Sequence, residues 1–246
     1  MKKNNFKEIA KEIFSARVTL AIVIINTVVY FGTLFLYKVF QIDLVKDFSQ
    51  YHPSHECFRY YQIISSDFVH LNFLHLFNNM SLLLFFGISL ESRLKPLNYL
   101  IFYIVSGIVA GLFQMYFNPE KPSAGASGAL NAVFTFHLFY SLYYFKTLKI
   151  DPEIDRLVNL GLFIMLFTEL FLVISFISND LYNLNNPMKK IAHHAHLGGA
   201  LMGMISFVAF TIYMRFKNPQ FEPSSVYFDL EINKQAPPEL SQPTSS

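Results

Sequence analysis

An all-helical membrane bundle of six transmembrane spans is the fold class this sequence predicts, and three features predict it. Of its 246 residues, 53% are hydrophobic and only 15% are charged, well below the roughly 25% charged of soluble domains. The 28 Phe and a mean hydropathy of +0.35 amount to more apolar surface than one aqueous core can hide, so lipid is the natural solvent for much of the chain. That apolar content also falls into six stretches almost free of charge, each near the roughly 20 residues a helix needs to cross hydrocarbon.

In chain order, the stretches Val18 to Tyr37, Phe68 to Leu90, Pro96 to Pro119, Pro122 to Phe145 and Ile191 to Met214 contain no Asp, Glu, Lys or Arg. Leu157 to Asn179 contains one, Glu169. Within lipid each segment must satisfy its own backbone groups, and runs this long suit helices rather than the short alternating strands of a barrel. Lys2, Lys3, Lys7, Lys11 and Arg17 precede the first span like a charged leader. The span is longer than a signal's apolar core, and Leu36, Tyr37 and Lys38 stand where a cleavage site would need small residues, so it is read as a retained anchor. The expected organisation is a basic N-terminal segment over 1–17, a membrane domain over 18–217 and a disordered tail over 218–246 rich in Pro, Ser and Gln.

Basic loops stay on the cytoplasmic side. With the N-terminus inside, thirteen of the 19 Lys and Arg fall on that side, which predicts cytoplasmic N- and C-termini in a bacterial plasma membrane, with an organelle membrane as the alternative. The first outer loop, from Lys38 to about Asp67, is rich in Phe and Tyr and suits the membrane interface. The polar loop from Asn179 to Lys190, containing Asn185, Asn186 and Pro187, is read as a mobile cap. A net charge of +2 with scattered Lys and Arg argues against nucleic acid as a partner. The lone Cys57 cannot form an intramolecular disulfide, and the absence of an internal repeat argues against a transporter built on inverted halves.

Polar side chains inside spans are costly and mark function, and here they cluster. The second span opens with His70, His75, Asn78 and Asn79, the fourth with Gly125, Ala126, Ser127 and Gly128, and the sixth with His193, His194 and His196. These three spans all begin at the outer face, so the polar residues share one depth. Ser127 in its run of small residues has two readings, helix packing or a nucleophile whose proton a neighbouring base removes. His196 is that base or else an interhelical hydrogen-bonding residue. Gly199 and Gly203 lie three and seven residues beyond it on the same helical face, leaving a smooth surface that can press on the fourth span and bring imidazole to hydroxyl. His75 and Asn79, at i and i+4, project from one side of the second span. They suit donors for a developing oxyanion, or bonds between helices. Asn78, rotated about 100° from Asn79, is left to helix contacts.

The stretch from His70 through His75 to Asn78, Asn79 and Met80, the block Gly125, Ala126, Ser127, Gly128, and the run Ala195, His196, Leu197, Gly198, Gly199 with Gly203 together resemble the rhomboid family of intramembrane serine proteases, over roughly Tyr60 to Met204. The resemblance implies a six-helix rhomboid-like bundle with an interfacial first outer loop. In it Ser127 is the nucleophile and His196 the base of a dyad, and His75, Asn79 and the Ser127 N–H form the oxyanion hole. His70, Gly125, Gly128, Gly199 and Gly203 are then site support. It implies transmembrane proteins as substrates, surrounding membrane lipids as the other partners, and neither metal nor cofactor; it fixes no oligomeric state. Two departures stand out. Where the family has a Trp-x-Arg element, this chain has Tyr60, Tyr61, Gln62, and it has no tryptophan. Where an aromatic residue four positions after the nucleophile stacks on the imidazole, it has Asn131, so a hydrogen bond is expected to orient the histidine instead.

Glu169 is read as an inward structural acid rather than a third catalytic member. His193 and His194 point about 100° apart on a helix, which makes a metal site from this histidine run alone geometrically poor. The expected function is intramembrane endopeptidase. The alternatives are a catalytically silent relative that binds client helices and, last, a histidine-lined metal or proton transporter.

Overall fold

The computed structural model describes residues 16–147, 171, 174–175, 177–182 and 192–217. The basic leader before Ala16, most of the fifth expected span with Glu169, and the tail from 218 lie outside the described residues. The described chain is helical: α1 (Arg17–Phe40), short α2 (Leu44–Phe48) and α3 (Gln62–Ser65), α4 (Phe73–Leu94), α5 (Pro96–Phe117), α6 (Ser127–Thr147) and α7 (His193–Lys217). Its one strand-like feature is an isolated antiparallel bridge between Gln50 and Ser123.

Four of these helices, α1, α4, α5 and α7, are long and apolar enough to cross a membrane. The fourth expected span, α6, is not among them, and its burial explains why. Ala129, Leu130, Ala132, Val133, Phe134, Phe136, Leu138 and Tyr140 are all buried, together with the polar Thr135 and His137. A helix walled by neighbours needs no lipid-facing apolar stripe, so polar side chains with internal partners are tolerated. Helices α5 and α7 pack on it and turn Leu97, Ile101, Val105, Leu201, Ile205 and Ile212 outward, the surface a hydrocarbon solvent requires.

The element ends differ from the apolar stretches where polar contacts intervene. Helix α4 starts at Phe73 rather than Phe68, because Asn72 accepts the His75 N–H at 2.8 Å and caps it. It then passes through a π turn over Leu83–Gly87 and runs on to Leu94. Helix α1 has no side-chain cap of its own. Buried Glu91 of α4 supplies one, accepting from the Val18 N–H at 3.0 Å and from the Thr19 N–H and hydroxyl at 2.8 Å each. A carboxylate at a helix N-terminus satisfies orphan donors and complements the helix dipole, so α1 and the far end of α4 are tied together.

The first outer loop is anchored by side chains the apolar pattern does not reveal. Gln62 is fully buried; its amide donates to the carbonyls of Asp47 at 2.8 Å and Cys57 at 2.9 Å and accepts from the Arg59 N–H at 3.0 Å. This residue of the Tyr60, Tyr61, Gln62 stretch therefore holds the loop through three backbone bonds. Further on, Asp67 and Gln50 lie against Gly107 and Gly111 of α5, where any Cβ would overlap their side chains. Asp67 is buried, and desolvation pushes its carboxyl up to about 8.

Candidate active site

The segment before Ser127 is not helical, although it lies in the fourth apolar stretch. Gln50 and Ser123 exchange backbone bonds of 2.9 and 3.0 Å, and the Gly125 N–H donates to the Ser66 carbonyl at 2.8 Å. Gly125 has φ +110, a conformation only glycine adopts without strain, and a Cβ there would stand 2.6 Å from the His75 ring. Helix α6 therefore begins at Ser127 itself. The first N–H groups of a helix have no intrahelical acceptor and carry the positive end of its dipole, so the Ser127 N–H is available to an anion beside its own hydroxyl.

His196 reaches that hydroxyl from α7, 69 residues away: its Nε2 lies 2.8 Å from Ser127 Oγ. The approach is set by backbone packing. A Cβ on Gly199 would overlap the Gly128 carbonyl and one on Gly203 the Ala132 carbonyl, while one on Gly128 would stand 2.7 Å from the Ala110 Cβ. Glycines at these crossings let the helix backbones touch, and His196 shares their face. The first turn of α7 is held in addition by Gln114 of α5, which accepts the Ala195 N–H at 3.3 Å.

On α4, Asn79 is buried and Asn78 exposed, in keeping with their 100° separation on a helix. The Asn79 amide nitrogen lies 3.0 Å from His70 Nε2, and the His70 and His75 rings meet edge to face with centroids 5.0 Å apart. Gly125 brings His75 and Asn79 together, since a Cβ on it would stand 3.0 Å from His75 Nε2 and 3.6 Å from Asn79 Nδ2. Ser127, His196, His75, Asn79 and His70 thus share one end of the bundle. Asn131 does not stack on the imidazole; its amide donates to the Ser127 carbonyl at 2.8 Å.

What holds His196 is Asp180, a residue of the polar stretch that follows the fifth apolar run. Residues 177–182 are helical, extending beyond the expected end at Asn179, and the Asp180 side chain is only 4% exposed. One carboxylate oxygen lies 3.0 Å from His196 Nδ1 and the other 2.5 Å from His193 Nδ1. Sixteen positions separate Asp180 from His196, so no helical spacing links them; an acid in the connection before the histidine run was the available signal. The three residues present donor atoms within 4.8 Å of one another, the one group among the described residues spaced to hold a metal ion. The metal-capable set thus comprises two histidines and a carboxylate rather than the histidine run by itself, and the atoms facing one another are engaged in hydrogen bonds.

A hydroxyl, an imidazole and a carboxylate in series, beside a helix N-terminus and a buried amide, can activate an oxygen nucleophile and receive the negative charge it generates. Residues 58–213 match the family model described as Rhomboid domain. The chain is 27% identical over 188 residues to "Rhomboid-like protein 11, chloroplastic" of Arabidopsis thaliana, a match covering 75% of this chain and 62% of that one. It is 36% identical over 76 residues to "Inactive RHOMBOID-like protein 8" of the same plant, covering 31% and 21%, and 33% identical over 79 residues to "Rhomboid-like protease 3" of Toxoplasma gondii, covering 32% and 30%. The chain spans about three fifths of the first of these relatives and less of the other two.

Proposed function

We propose that this chain, which belongs to the rhomboid family and is an integral membrane protein, is a serine endopeptidase that cuts peptide bonds in or near transmembrane helices of other proteins. The observation that carries the reading is the 2.8 Å contact between Ser127 Oγ and His196 Nε2, within the reach a general base needs. As Ser127 Oγ bonds to the substrate carbonyl carbon, its proton passes to His196 Nε2 and the carbonyl π pair moves onto oxygen. Donors from His75, Asn79 and the Ser127 N–H meet that oxyanion, each contributing about 3 to 4 kcal/mol in comparable sites. His196 then returns the proton to the amine nitrogen as the C–N bond breaks, and water hydrolyses the acyl-enzyme by the same route.

Substrate enters laterally between helices, in a bundle of six spans with both termini cytoplasmic and the site toward the outer face. A helix has its carbonyls occupied, so the cleavable segment is one that unwinds readily, with Gly, Pro or polar residues near the cut and a small residue before it. The test is cleavage of a single-span substrate co-reconstituted in liposomes. Wild type releases a soluble fragment and Ser127→Ala does not; equal cleavage by both overturns the reading. The similarity to a relative named inactive favours a second reading, a silent rhomboid-like binding factor, and folded wild type that fails to cleave while retaining the substrate points to it.

A further inference from the structure

We infer that Asp180 is a positioning residue for the proposed hydrolysis: its carboxylate fixes the tautomer and orientation of His196 through Nδ1 and stabilises the imidazolium, while His193 holds its other oxygen. The inference rests on the protease reading, because it assigns Asp180 a function only through His196.

The hydrogen-bond network decides the protons. An ionised carboxylate only accepts, so the bonds at 3.0 Å to His196 and 2.5 Å to His193 require both Nδ1 atoms to donate. His196 must then carry a bare lone pair on Nε2, the atom 2.8 Å from Ser127 Oγ, which is the form a general base needs. The opposite tautomer would point an N–H at the serine and leave Asp180 facing a lone pair. His193 follows the same logic. Its Nε2 is buried with no partner among the described residues, and an orphan acceptor is tolerated better than an orphan N–H. His193 therefore donates from Nδ1 to one carboxylate oxygen, which leaves the other to His196.

In the resting site the Asp180 carboxylate accepts from both rings. When the Ser127 proton moves to His196, the new cation forms against a buried carboxylate already in place. The other titratable groups facing His196 are His193, whose ring meets it edge to face with centroids 6.3 Å apart, and His75 of α4, close enough for their charges to interact; no lysine or arginine intervenes among the described contacts of the ring. His194 turns away and stacks on Phe117.

The test follows the pH dependence of kcat/KM for peptide cleavage by wild type, Asp180→Asn and Asp180→Glu, with chelator present so that no ion bridges the three side chains. Asp180→Asn is expected to lower kcat/KM by about 10²- to 10⁴-fold, mostly in kcat, and to move the acidic limb about one pH unit or more lower, because His196 loses an opposite charge. Asp180→Glu recovers part of the rate and returns the limb toward its wild-type position. A structural clamp alone would leave the limb in place. Active wild type with Asp180→Asn within about threefold of it and an unmoved limb overturns the role of Asp180 and leaves the protease reading standing, whereas inactive folded wild type sinks the protease reading. Nitrogen NMR of the His196 ring in wild type decides independently if the variant does not fold: Nδ1–H is expected, and Nε2–H overturns the proposal.

Discussion

Ser127 Oγ and His196 Nε2 stand 2.8 Å apart because two helix backbones, not two flexible side chains, are in contact behind them. The Gly199 and Gly203 crossings against Gly128 and Ala132 set the depth and rotation of α7, and with them the position of the imidazole. Side-chain rotamers then adjust within a frame already determined by packing.

Gly199→Ala should therefore damage catalysis without touching a reacting group. The added Cβ overlaps the Gly128 carbonyl, α7 must retreat, and a displacement of about 1 Å costs on the order of 10²-fold in rate. Thermal unfolding should fall as well. Gly32→Ala is the control, since nothing lies within 4 Å of its new methyl, and it should leave the cleavage rate unchanged.

Asn79→Ala tests the oxyanion side of the pocket. A donor used only in the transition state lowers kcat by about 10² to 10³ with little change in KM. His70, which stands 3.0 Å from the Asn79 amide, acts through it, so His70→Ala should give a smaller loss that adds little to Asn79→Ala. Steady-state kinetics on the two single variants and the double variant read this directly. A rise in KM with kcat unchanged would place Asn79 in substrate binding instead.

These residues were legible in the sequence because each signal is local. A glycine face at i+3 and i+7, a donor pair at i and i+4, and a serine among small residues can all be read within one helix. Asp180 was not legible, since it lies sixteen positions before His196 and no helical period connects them. Helix α6 was expected as a span over Pro122 to Phe145; its burial among its neighbours and the non-helical run through Gly125 depend on contacts that hydropathy does not name. Gln62 likewise replaces the expected aromatic and basic anchor with an amide whose partners are all backbone groups.

Asp67 predicts a pH dependence of stability in the outer loop. Its folded value of about 8 lies above the ordinary value of about 4 for an unfolded aspartate. The folded protein thus holds a proton that the unfolded chain releases between those limits. Stability is greatest below about pH 4, falls as pH rises through that window and levels off above about pH 8. Asp67→Asn removes the titrating group, so its thermal midpoint should vary less between pH 5 and 9 than that of wild type. Parallel curves for the two proteins would contradict burial of a neutral carboxyl beside Gly107.

The most direct measurement treats purified, folded protein with a fluorophosphonate and maps the adduct by mass spectrometry. A hydroxyl activated by His196 becomes phosphonylated at Ser127, and folded His196→Ala loses the adduct. Folded wild type with no adduct at Ser127, or equal labelling in His196→Ala, would contradict the pairing on which the account rests.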